Sequence, residues 1–178
     1  MSGKPTRTSF ALWLVPEKRV FRRLAAAIRE LSQEHSTPVF APHVTLVSSI
    51  VGPERTVLEK SARLTKRLGP LVIRLAGLDG LTEYFRCLFV RVQQTDNVMR
   101  ANRLARGIFQ VHNQSPYMPH LSLVYGNLGG ETKGKIIAAI GNRFDLAFRV
   151  RSLDVVLIRA EVSQWRRVAS FALPMPSP

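Results

Sequence analysis

The feature that most constrains this chain occurs twice. Residues 42–47 read Pro42-His43-Val44-Thr45-Leu46-Val47, and residues 119–124 read Pro119-His120-Leu121-Ser122-Leu123-Val124. Both have the form Pro-His-aliphatic-(Thr or Ser)-Leu-Val. In an extended strand, residues i and i+2 share a face. Each copy therefore points an imidazole and a hydroxyl one way, and Val44 and Leu46, or Leu121 and Leu123, the other. One such pair is ordinary strand surface. Two matching pairs, His43 with Thr45 and His120 with Ser122, 77 residues apart in a chain of 178, point to a shared active site.

The rest of the chain repeats around them. Thr8 to Val15 alternates as a strand and ends at Pro16. From Pro16 to about Gln33, Val20, Leu24, Ile28 and Leu31 recur at helical spacing, with proline near the first turn. His43 to about Ile50 is the first motif strand, and Glu54 to Leu68 is a helix closed by Gly69. Leu71 to Leu78 and Arg86 to Val92 read as strands around the turn at Asp79-Gly80. Then the order recurs: a helix over Thr95 to about Val111, the second motif strand, a short helix from Thr132 to Ile140, and strands over 145–150, 153–159 and 167–173. The tail 174–178, with three prolines, is expected to have no fixed structure. Strand–helix–loop–His strand–helix–strand thus appears once in each half. The expected fold class is α+β: one bilobal domain over residues 1–178, with repeat halves of about 8–80 and 84–173. Its two pseudo-two-fold related lobes carry antiparallel sheets facing a central cleft, with helices outside.

Composition bounds the chemistry. With 46% hydrophobic and 21% charged residues the chain is globular. Cys87, the single cysteine, lies in an apolar run and reads as a small buried thiol. No Cys/His spacing suggests zinc, and no apolar run approaches the ~18–20 residues that cross a bilayer. The polar stretch Met1 to Ser9 has no apolar core of a secretory signal, so the cytoplasm is the expected location and no membrane partner is expected. Lys and Arg number 26 against 12 Asp and Glu, a formal charge of +14, which favours phosphates, nucleotides, nucleic acid or an acidic membrane surface without choosing among them.

Two imidazoles and two hydroxyls converging on one point suit a phosphodiester. With an ordinary pKa near ~6.5, one histidine can be neutral and the other protonated, as paired base and acid require. The hydroxyls can donate to non-bridging oxygens. A two-His metal site would want a carboxylate as third ligand, which neither motif carries nearby, so neither metal nor cofactor is expected. A serine on a regular strand is seldom a nucleophile. His35 and His112, in polar contexts, read as surface residues.

These paired H-x-(T/S)-x motifs resemble the 2H phosphoesterase superfamily, and more closely its cyclic phosphodiesterases of the plant and yeast type. The likeness extends to Phe10-Ala11-Leu12-Trp13-Leu14-Val15-Pro16, to Tyr84-Phe85-Arg86-Cys87-Leu88-Phe89-Val90 and to Leu123-Val124-Tyr125-Gly126. It implies a water-filled cleft and metal-independent hydrolysis of ADP-ribose 1″,2″-cyclic phosphate or nucleoside 2′,3′-cyclic phosphates. The products would carry a 1″-phosphate or a 2′-phosphate. It further implies that His120 activates water, that His43 protonates the departing oxygen, and that Trp13 and Tyr125 contact substrate. Strand alternation alone places Tyr125 opposite His120, so a twist or bulge is needed there. Two other readings stay open: a 2H enzyme acting on RNA ends, by opening 2′,3′-cyclic termini or joining 2′–5′ linkages, and a non-catalytic basic RNA-binding module.

Overall fold

A computed structural model describes residues 9–112, 115–141 and 143–174. The expected tail, apart from Pro174, and residues 1–8 of the N-terminal stretch lie outside these. Seven strands, β1 (Ser9–Pro16), β2 (Val44–Ile50), β3 (Val72–Asp79), β4 (Leu88–Val92), β5 (His120–Val124), β6 (Ala147–Ile158) and β7 (Arg166–Ala172), combine with four helices. These are α1 (Lys18–His35), α2 (Glu54–Arg67), α3 (Asp96–Phe109) and α4 (Gly130–Ile140). Every strand pairing is antiparallel. The α+β class expected from the sequence holds.

The strand order is β1-β2-β5-β4-β3-β6-β7, and β1 also pairs with β6. The two motif strands are therefore direct neighbours, touching at Val44 and Leu121. The third strand of each half pairs with the first strand of the other: β3 with β4, and β6 with β1. The helices follow suit, α1 lying against β5 and α3 against β2. Each half thus supplies part of the support for the other half's motif.

Apolar spacing explains the helices. Leu24, Ile28 and Leu31 of α1 are buried along one stripe, as are Val98, Ala101, Ala105 and Phe109 of α3. The opposite face of the motif strands, Val44, Leu46, Leu121 and Leu123, is fully buried in the same core. Burying each such leucine contributes roughly 1.5–3 kcal/mol, so the motif strands are held by the face that does no chemistry.

Several local expectations change. The strand expected over Arg86 to Val92 begins at Leu88, because Tyr84–Arg86 form a short 3-10 turn. Pro16 ends β1 rather than opening the helix, which starts at Lys18. Helix α2 stops at Leu68 in extended conformation, not on a glycine cap, with Leu68 buried and Pro70 two residues on. Helix α4 begins at Gly130, two residues early. The strands expected over 145–150 and 153–159 are one strand, β6: its first residues pair with β3 and the remainder with β1. The change of neighbour falls between Arg149, which pairs with Val72, and Val150, which pairs with Pro16, and Arg151 is an extra residue between Val150 and Ser152.

Candidate active site

His43 immediately precedes β2 and His120 opens β5. Each imidazole Nδ1 lies against the carbonyl oxygen two residues back, Ala41 at 2.7 Å and Met118 at 2.9 Å. A carbonyl only accepts, so Nδ1 carries the proton in both rings and Nε2 is left for the cleft. In each copy the accepting carbonyl belongs to the residue before the proline, a position that proline biases toward extended backbone. The repeated Pro-His pair is thus a device for orienting a ring.

His43, Thr45, His120 and Ser122 line one pocket of about 400 Å³, together with Trp13 and Tyr125. All six residues singled out in the sequence meet there. The bulge needed for Tyr125 is present. Phe89 pairs with Ser122 and Leu88 with Val124, so Leu123 is an extra residue on β5. On β2, Trp13 pairs with Thr45 and Leu12 with Val47, which makes Leu46 the matching extra residue. Beyond the bulge the faces exchange, so Tyr125 and its counterpart Ser48 turn to the cleft while Leu46-Val47 and Leu123-Val124 are buried. Two consecutive buried residues, the Leu-Val that closes each motif, were the sequence signal for it.

The indole of Trp13 stacks on His43, and Phe89 meets His120 edge-on at 5.2 Å. Trp13 and Tyr125 are also buried, so packing and cleft wall are one role. Ser122 Oγ donates to the Phe85 carbonyl at 3.0 Å. Tyr117 Oη donates to the Thr45 carbonyl at 2.8 Å, fixing that strand from outside.

Burial lowers the pKa of His43 from 6.5 to about 3, against the pull of the Ala41 carbonyl and with a further push from His120. His120 is lowered as well, first by burial and then by Arg86, with the Met118 carbonyl and Glu83 opposing. Burial raises the phenols of Tyr117 and Tyr125. Burial thus favours the neutral form of both imidazoles.

Several lining residues were not singled out. Among the described lining residues Arg86 is the one charged side chain, and none is a carboxylate. It leaves a short 3-10 turn, Tyr84–Arg86, where Glu83 pairs with it. That turn is tied down by Leu81 N–H to the Arg86 carbonyl and Gly126 N–H to the Tyr84 carbonyl. Gly80 beneath it admits no side chain, since a Cβ would lie 2.6 Å from the Cys87 carbonyl. Trp165 joins an aromatic wall with Trp13, Phe85 and Tyr125, at centroid distances of 5.7–5.9 Å. Its indole N–H donates to the Arg159 carbonyl. Nothing periodic marks either residue, because each reaches the cleft from an irregular turn. Cys87 is a buried thiol and His112 is exposed, as expected, whereas His35 is only 15% exposed in its side chain and is not a surface residue. Among the described residues, no group of three or more His, Cys, Asp or Glu could hold a metal ion, and no helix is long and apolar enough to cross a membrane.

The sequence model of the cyclic phosphodiesterase-like proteins matches residues 8–173. A cyclic phosphodiesterase of Arabidopsis thaliana is 31% identical over 127 residues, which is 70% of this chain and 68% of that protein. Among solved structures, E. coli LigT in its apo form superposes with a TM-score of 0.65 at 14% identity, covering 94% of this chain and 98% of LigT. LigT complexed with 3′-AMP gives 0.63 at 12% identity, over 94% and 99% of the two chains. At such identities these structures establish a common fold.

Proposed function

The chain belongs to the family of cyclic phosphodiesterase-like proteins and is a phosphodiesterase, and from that premise we propose that it hydrolyses ribose cyclic phosphates without a metal ion. The substrates are nucleoside 2′,3′-cyclic phosphates, ADP-ribose 1″,2″-cyclic phosphate, or both. The observation that carries this reading is the matched anchoring of His43 and His120, which leaves two Nε2 atoms to one pocket lined by Arg86 and, among the described residues, by no carboxylate. A pocket of about 400 Å³ with an aromatic wall suits a nucleotide. The 3′-AMP bound to LigT is consistent with a small phosphorylated nucleotide as ligand here.

In the proposed reaction on a 2′,3′-cyclic phosphate, water attacks phosphorus, the P–O3′ bond breaks, and a 2′-phosphate results. The water proton passes to Nε2 of His120, which burial and the Arg86 charge keep neutral. His43, as imidazolium, gives its proton to O3′. Burial opposes that charge, so His43 takes up the proton from solvent as the substrate binds, the phosphate anion supplying the counter-charge. The π face of Trp13 favours the same charged form. Arg86 and the hydroxyls of Thr45 and Ser122 bind the non-bridging oxygens; Ser122 must turn its proton from the Phe85 carbonyl to do so.

Turnover of uridine 2′,3′-cyclic phosphate and ADP-ribose 1″,2″-cyclic phosphate, each in excess EDTA, tests this. Full rate in chelator is expected. A rate abolished by EDTA and restored by one metal would overturn it.

A further inference from the structure

The catalytic pocket does not end at the histidines. Thr45, Ser48, Arg86 and His120 also line a second depression, of about 330 Å³, which runs toward the C-terminal end of α3. The two depressions therefore adjoin along these four residues. The two are chemically unlike. The first has an aromatic wall of Trp13, Phe85, Tyr125 and Trp165. The second adds Arg106 to Arg86, with Asn102 and Ser115, and no carboxylate among its described lining residues.

The cationic groove is also held in shape. Asn102, buried in α3, donates to the Leu46 carbonyl at 2.7 Å, and Tyr117 to the Thr45 carbonyl, so floor and wall are fixed to β2. Arg106 Nε donates to the Val111 carbonyl at 3.3 Å, which sets its guanidinium at the groove wall. Two guanidinium groups, planar and permanently charged, match the geometry of phosphate oxygens better than any other side chains.

We propose that this groove is a second phosphate subsite in which Arg106, with Arg86 shared between the two phosphates, binds a phosphate of the substrate other than the one being hydrolysed. It rests on the cyclic phosphodiesterase reading above. The preferred substrates are then those with a further phosphate in the same molecule. Two sources share that chemistry: the pyrophosphate of ADP-ribose 1″,2″-cyclic phosphate, and the internucleotide phosphodiester of an RNA end closed as a 2′,3′-cyclic phosphate.

The test compares uridine 2′,3′-cyclic phosphate, which has no second phosphate, with ADP-ribose 1″,2″-cyclic phosphate and with UpU ending in a 2′,3′-cyclic phosphate. Wild type should prefer at least one of the latter two by about tenfold in kcat/KM at low salt, the size of a charge-assisted contact. Arg106→Gln should erase that preference and Arg106→Lys retain part of it, with melting curves confirming that both fold. The arm that responds to Arg106 identifies the source. Calorimetric affinities of the non-reactive ligands ADP-ribose, UpU 3′-phosphate and 3′-UMP provide an independent readout in the same variants. If no ligand with a second phosphate binds or turns over better than its simpler counterpart, or if Arg106→Gln leaves that gain intact, the subsite is refuted. An Arg106-dependent gain in binding with no turnover of any substrate would uphold the subsite and sink the hydrolase reading instead.

Discussion

The indole of Trp13 lies face to face with the imidazole of His43, ring centroids 3.5 Å apart and planes 7° from parallel. Trp13 also pairs across β1 and β2 with Thr45, so one tryptophan touches two groups of the first motif. His120 instead meets the edge of Phe89. The two histidines are alike in sequence and unlike in environment.

That stack favours the imidazolium of His43 by about 0.5–2 kcal/mol, the range for a cation over an aromatic face. Trp13→Leu, which keeps apolar bulk and loses the π face, should lower kcat roughly 3- to 30-fold on that basis. The alkaline limb of its kcat profile, where His43 loses its proton, should move to lower pH. Trp13→Phe should lie between. Wild-type kcat and an unmoved alkaline limb in Trp13→Leu would show that the ring is packing alone.

Burial of His43 carries a stability consequence with a definite sign. Its folded-state pKa, about 3, lies below the ordinary 6.5, so the unfolded chain binds the proton first as pH falls. Stability is therefore lost between about pH 6.5 and pH 3, at up to ~1.4 kcal/mol per pH unit from this group. His120 adds in the same direction. Melting temperatures of His43→Gln should decline less steeply than wild type over that window. Parallel curves would mean that His43 titrates normally in the fold.

The division of labour is read from the leaving group. On a ribose cyclic phosphate, His43→Ala and His120→Ala should each retain no more than about one part in 10² to 10⁴ of the rate. An aryl phosphodiester expels a phenolate that barely needs a proton. His43→Ala should recover much of its rate on it, whereas His120→Ala stays slow. Recovery by His120→Ala instead would reverse acid and base, and equal recovery would remove both roles.

The two hydroxyls separate on stability. Thr45→Ala and Ser122→Ala should each reduce turnover by roughly 10²-fold, as for one oxyanion contact. Ser122 is buried and bonded to the Phe85 carbonyl, so its loss should also cost about 1 kcal/mol in denaturant unfolding, while Thr45→Ala costs little. Near wild-type turnover in either would place its hydroxyl away from the phosphate.

What local sequence determined is considerable. Period-two alternation put His43 with Thr45 and His120 with Ser122 on one face, and their aliphatic neighbours in the core, because strand geometry allows nothing else once a sheet is buried on one side. The helical stripes of α1 and α3 were equally legible. The likeness to cyclic phosphodiesterases rested on those same residues, and the match over residues 8–173 bears it out. Tertiary structure decided what local pattern cannot encode. It set the bulges at Leu46 and Leu123 that turn Ser48 and Tyr125 to the cleft, and the exchange of β3 and β6 between the halves. It also brought Arg86 and Trp165 to the histidines on turns with no period of their own. Strand pairing and turn anchoring join residues far apart in the chain, so the charge beside His120 and the aromatic wall exist only once those distant hydrogen bonds have formed.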